Sequence, residues 1–143
     1  MTEARRLAAE AGADRATFAV ARADQYPGTG YDLICFFDCL HDMGDPVAAA
    51  AHAAKAIARD GTVMLVEPFA NDRVEDNVSP VARLYYAAST TLCCAHAISE
   101  GGRVVLGAQA GEARLADVFR RAGFTRFRRA AETPFNLILE ARL

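Results

Sequence analysis

Five consecutive apolar residues, Leu33 to Phe37, stand between Tyr31-Asp32 and Asp38. A run that short and unbroken predicts a strand buried on both faces, as in a parallel sheet. A second run, Thr62 to Val66, follows a segment that sets Val47, Ala50, Ala51, Ala54 and Ile57 at helical spacing. Asp45 suits the N-cap of that helix, Pro46 its first turn, and Asp60-Gly61 its stop. Strand, helix, strand in this order is a crossover between parallel neighbours, which makes the chain an α/β protein.

The flanks extend the pattern. Thr2 to Ala11 reads as a helix stopped by Gly12, Thr17 to Ala21 as a short strand, and Gln25 to Gly30, with Pro27, Gly28 and Gly30, as a loop. Phe69 to Asn77 is irregular. Ser79-Pro80 starts a helix running to about Ala97, with Val81, Leu84, Tyr85, Ala88 and Leu92 at helical spacing. After a loop at Glu100 to Arg103, Gly111 precedes a helix with Leu115, Val118, Phe119 and Ala122 inward, ended by Gly123. Phe124 to Arg129 and Phe135 to Arg142 read as strands, and the short link holding Pro134 permits only an antiparallel hairpin between them.

With 143 residues the chain is one domain, long enough for a core. A net charge of −2 supplies no field that would draw it to nucleic acid or anionic lipid. No apolar run reaches the ~18 residues a membrane span needs, and the start has no signal-peptide pattern. Cys35, Cys39, Cys93 and Cys94 form no C-x-x-C pair, so free, mostly buried thiols in a reducing, cytoplasmic compartment are expected. His41, Asp42 and Glu67 match no standard metal set, His52 reads as solvated beside Lys55 and Arg59, and no G-x-G-x-x-G or P-loop occurs.

A parallel sheet that ends in an antiparallel hairpin resembles the class I S-adenosylmethionine-dependent methyltransferase fold, whose last strand opposes the others. Tyr31-Asp32-Leu33-Ile34-Cys35-Phe36-Phe37-Asp38-Cys39-Leu40-His41-Asp42-Met43 resembles that family's fourth strand and following loop. Asp60-Gly61-Thr62-Val63-Met64-Leu65-Val66-Glu67-Pro68 resembles its fifth strand, and Ala122-Gly123-Phe124-Thr125 the entry to its terminal hairpin. Leu106 to Glu112 and Glu132 to Asn136 are similar to actinobacterial members that carry a winged-helix region. The resemblance covers nearly the whole chain and implies an incomplete, doubly wound Rossmann-like sheet: the family's glycine-rich first turn and the acid after its second strand have no counterpart, because Met1 opens directly on the next helix. Arg22 stands where the family often has an acid before alanine.

The resemblance implies S-adenosylmethionine as donor and an unassigned small-molecule acceptor. Ligands of such sheets sit at the carboxyl ends of the parallel strands, which assigns Ala23, Asp24, Phe37 and Asp38 to the donor. His41 is the candidate general base, or a residue lining the acceptor pocket. Glu67 and Tyr85 are candidates for acceptor contact, with Tyr86 and His96 on the same covering helix as Tyr85. The alternative is a non-catalytic fragment or interaction module that keeps the fold's second half. A nicotinamide oxidoreductase half-domain is disfavoured by the terminal hairpin and the missing glycine fingerprint. Lacking the first strand, Leu33 to Phe37 becomes an apolar edge, from which self-association, or insertion of Thr17 to Ala21 as a neighbour, is expected, and one sheet face is left without a covering helix.

Overall fold

The computed structural model describes residues 1–143. Its elements are α1 (Thr2–Glu10), β1 (Tyr31–Phe37), α2 (Pro46–Ala56), β2 (Ile57–Pro68), α3 (Pro80–Ala88), α4 (Cys94–Ser99), α5 (Gly111–Arg121), β3 (Arg126–Glu132) and β4 (Asn136–Arg142). One sheet has the order β1-β2-β4-β3. β1 and β2 are parallel, and β4 runs antiparallel to both β2 and β3. The β1–α2–β2 crossover and the closing hairpin therefore stand as the sequence predicts.

The inward face of the sheet is set by register. Phe36 lies opposite Leu65, Val63 opposite Ala141, and Leu65 opposite Leu139, and all of these side chains are buried. α2 and α5 cover this face. Ala49, Ala50, Ala53 and Ala56 of α2 are at most 1% exposed, and such small side chains let one helix approach its neighbour closely. From α5 come Leu115, Val118 and Phe119. Phe119 meets Phe124 edge-on at 5.2 Å and Phe127 at 5.5 Å. Full burial of such a ring stabilises by roughly 1.5–3 kcal/mol.

The caps agree with the sequence. Asp45 accepts from the Ala48 N–H at 2.8 Å, and Ser79 from the Ala82 N–H at 3.1 Å. The start of α5 has no cap of its own; Asp72, from the loop after β2, accepts from the Ala113 N–H at 2.7 Å. α2 ends at Ala56 rather than at Asp60, because Ile57 turns extended and joins β1 opposite Tyr31. Asp60-Gly61 still marks a tight bend: a Cβ on Gly61 would sit 2.6 Å from Ile57 and 2.7 Å from the Tyr31 carbonyl.

Four expectations are corrected. Thr17 to Ala21 forms no strand and does not insert beside β1, whose outer edge stays unpaired. Leu33, Cys35 and Phe37 point away from the helices and are exposed, so β1 is buried on one face only. The sheet's outer face has no helix over it at β1, in accord with the expected uncovered face. His52 is half-buried rather than solvated: its Nε2–H donates to the Tyr26 carbonyl at 2.8 Å, and the two rings meet edge-on at 4.2 Å. Finally, the helix after Ser79 is interrupted by a π-helical turn, Ser89–Cys93. Its buried stripe is Ala82, Ser89, Cys93 and Ala97, while Leu84 and Leu92 are exposed, because only small side chains fit where this segment lies against the core.

Candidate functional site

Phe37 pairs with Val66, so the two parallel strands release the chain at one end of the sheet. Past β1, Asp38 adopts a φ of 51°, a left-handed conformation that a non-glycine residue adopts at a cost. Its N–H donates to the Val66 carbonyl at 2.7 Å. The chain is thereby turned across the sheet end into a short 3-10 turn, Leu40–Asp42.

One residue beyond Val66, Glu67 falls on the inward face and is 1% exposed. A buried carboxylate is tolerated only when its oxygens are partnered, and here both are. Oε1 accepts from the Leu40 N–H at 2.9 Å, and Oε2 accepts from His41 Nδ1–H at 2.5 Å. His41 is itself buried. Burial pulls the His41 pKa down, but the Glu67 carboxylate, aided by Asp42 and Asp38, outweighs it and leaves the ring titrating above its ordinary value. With Nδ1 donating, the neutral ring carries its lone pair on Nε2.

His41 Nε2 lies 3.2 Å from Asp42 Oδ1. That oxygen is buried and has no hydrogen-bond partner. Cys93 reaches the same point from the π-helical turn: its Sγ, a ring nitrogen of His41 and a carboxylate oxygen of Asp42 lie within 4.8 Å of one another. Burial, reinforced by the Asp42 carboxylate, pushes the Cys93 thiol up to about 12, and burial with the Glu67 charge takes Cys39 to about 11. The turn is held from behind by Gly107, whose N–H donates to the His41 carbonyl at 3.2 Å. Gly107 has a φ of 69°, and a Cβ there would lie 2.2 Å from Ser89 Oγ, so no other residue fits.

Phe37 and Asp38 flank this pair at the end of β1, with Phe37 61% exposed. Tyr85 is half-buried and its hydroxyl donates to the Phe135 carbonyl at 3.0 Å; burial, then the charge of Asp38, raises its pKa. Ala23 and Asp24 border a different cleft, beside Met43, Gly44 and Glu100 at the start of α2. Arg22 donates to Asp24 at 3.0 Å and holds its carboxyl below the usual range. The fold thus joins His41 to Glu67 with Asp38 nearby, while Ala23 and Asp24 line a cleft that Met43, just past the His41 turn, also borders. The sequence groups His41 and Glu67 only as members of a rejected metal set and gives Cys93 no role beyond a buried thiol; the His41–Glu67 contact comes from the matched ends of two parallel strands, and nothing in the sequence points to Cys93.

A parallel β–α–β unit joined to an antiparallel last strand, with side chains gathered at the carboxyl ends of its parallel strands, is the architecture of the second half of a class I methyltransferase sheet, here covered on one face only. A family model described as a methyltransferase domain matches residues 4–128. The chain belongs to the class I S-adenosylmethionine-dependent methyltransferases.

Among solved structures, mitomycin 7-O-methyltransferase MmcR is 20% identical with a TM-score of 0.71, over 99% of this chain and 39% of that one. S-adenosylmethionine-dependent methyltransferase SibL is 24% identical with a TM-score of 0.71, over 97% and 39%. Human N-acetylserotonin methyltransferase in complex with SAM is 17% identical with a TM-score of 0.62, over 87% and 33%. These likenesses are of fold, and the chain spans about two fifths of the length of the first two. No curated protein matches the sequence. No helix is long and apolar enough to cross a membrane.

Proposed function

We propose that this chain forms the acceptor side and part of the donor side of a centre that methylates a hydroxyl or amine of a small molecule. The observation that carries the reading is the His41–Glu67 pair at the carboxyl ends of two parallel strands, within a methyltransferase domain. S-adenosylmethionine, when bound, supplies the methyl group as a sulfonium open to in-line displacement. The residues present suit its adenosyl part. Asp24 offers a carboxylate beside Ala23 in a cleft, and Phe37 and Asp38 offer an exposed ring and a second carboxylate at the end of β1.

His41 Nε2 is the atom that takes the acceptor's proton. Glu67 acts as a positioning residue: it fixes the tautomer and orients the ring, as the carboxylate does in other carboxylate–histidine pairs. Tyr85 borders the acceptor side. Alignment of the two reactants and exclusion of water supply the greater part of the rate, and the base adds about 10²–10⁴-fold.

The experiment is a calorimetric titration of the protein with S-adenosylmethionine and S-adenosylhomocysteine. Saturable binding that Asp38→Ala abolishes is the expected result. A folded sample that binds neither refutes the donor assignment. It would favour the second reading, a non-catalytic module that self-associates, which the exposed edge of β1 supports.

A further inference from the structure

We propose that His41 Nε2, Asp42 Oδ1 and Cys93 Sγ form a binding site for a thiophilic divalent cation of the zinc class. Three independent features of the geometry support this. Zinc bound to imidazole and carboxylate at about 2.1 Å each separates the two ligand atoms by about 3.4 Å in a tetrahedron; Nε2 and Oδ1 stand 3.2 Å apart. The sulfur already lies within 4.8 Å of both, so a shift of at most about 1 Å closes the set around a Zn–S bond of about 2.3 Å.

The second feature is the ring's orientation. A metal-bound histidine donates its other N–H to a carboxylate or carbonyl, which fixes the tautomer. His41 Nδ1 donates to Glu67 at 2.5 Å, leaving Nε2 as the ligand atom. The third is Asp42 Oδ1. It is buried with no well-aligned hydrogen bond, and the groups against it are the other two candidate ligands, His41 Nε2 and the Cys93 thiol, so a cation would bind all three at once. The Asp42 side chain as a whole is 35% exposed, which gives an ion a path from solvent.

Imidazole and thiolate together select zinc or cobalt over magnesium or calcium. On binding, the S–M bond replaces the S–H bond of Cys93 and the proton leaves to solvent. Three protein ligands leave a fourth position open. The ion also takes the lone pair that the proposed base needs, so zinc would arrest methyl transfer. That consequence rests on the reading of His41 as base, whereas the site itself does not.

The test is titration of the reduced, metal-free protein with Co²⁺, read by absorption. A saturable sulfur-to-cobalt charge-transfer band with tetrahedral visible bands is expected, both displaced by zinc. Cys93→Ser should remove the charge-transfer band and Cys35→Ser should retain it. Glu67→Gln, which removes the carboxylate that holds His41 Nδ1 and the Leu40 N–H, should weaken binding about 10–100-fold. Circular dichroism identifies folded samples, and if Cys93→Ser does not fold, Asp42→Asn serves in its place, with weakened binding and altered visible bands expected. Absence of the band from folded wild-type protein at saturating cobalt overturns the proposal. So does its survival in folded Cys93→Ser, or unchanged cobalt binding and spectrum in Asp42→Asn. Zinc binding without inhibition of an established methyl transfer would overturn only the role of His41 as base.

Discussion

Replacing Glu67 by glutamine removes one charge from the interior while keeping the side chain's size. The carboxylate accepts two hydrogen bonds, from the Leu40 N–H and from His41 Nδ1–H. An amide has one oxygen and one NH2 group, so it satisfies one donor and confronts the other unless His41 changes tautomer. Hydrogen bonds to a buried charged group contribute about 1.5–3 kcal/mol, and a loss of that size is expected for Glu67→Gln. The loss depends on pH in a defined direction. Burial lowers the His41 pKa and the Glu67 carboxylate, aided by Asp42 and Asp38, more than restores it, so removing the carboxylate lowers the pKa from its wild-type value, with only Asp42 and Asp38 left to oppose burial. In wild type the raised pKa means that protonated His41 contributes stability fully below about pH 6.5 and loses it as pH rises through the folded-state value. The variant's deficit is therefore largest in mild acid and smallest at alkaline pH. Urea unfolding of metal-free protein across this window, with an NMR titration of the His41 ring, measures both quantities. A deficit independent of pH, or an unchanged His41 midpoint, would refute the reasoning.

Gly107→Ala should destabilise by roughly 2–5 kcal/mol, from a left-handed residue gaining a Cβ and from overpacking against Ser89; thermal melting reads this, and a shift of under a degree would contradict it. At the open edge, Leu33 is 54% exposed on a strand with no neighbour on its outer side. Leu33→Lys should shift sedimentation toward monomer with the melting temperature little changed, because a charge on an edge strand opposes strand pairing. Wild-type protein that sediments as a monomer at all concentrations would remove the basis for this expectation.

The parts legible in the sequence were those with local causes. Asp45-Pro46 and Ser79-Pro80 started helices because capping is decided within one turn. Pro134 in a short link fixed the direction of β4 because a few residues cannot make a crossover. What failed depended on neighbours. Thr17 to Ala21 has strand composition but pairs with no strand, and the apolar run at Leu33 to Phe37 suggested burial on both faces where only the inward one is covered. The candidate site divides the same way. His41 and Glu67 each drew notice as residues just past strand ends, but their contact is a product of sheet register over a separation of 26 residues. Asp42 and Cys93 meet because a π-helical turn changes which side of its helix faces inward.

The bond from Asp72 to the first turn of α5 ties the loop after β2 to a helix that covers the inward face of the sheet, across 41 residues of sequence. Asn71 and Asn77 stiffen that loop, with Asn77 donating to the Asn71 and Arg73 carbonyls and accepting from the Asn71 N–H. Loop and helix start therefore open as a single cooperative unit, not as two independent ones. Order imposed at the rim is passed to α5 through the Asp72 carboxylate and the Gln109–Phe69 bond beside it, and slackness at the start of α5 is returned to the rim by the same route.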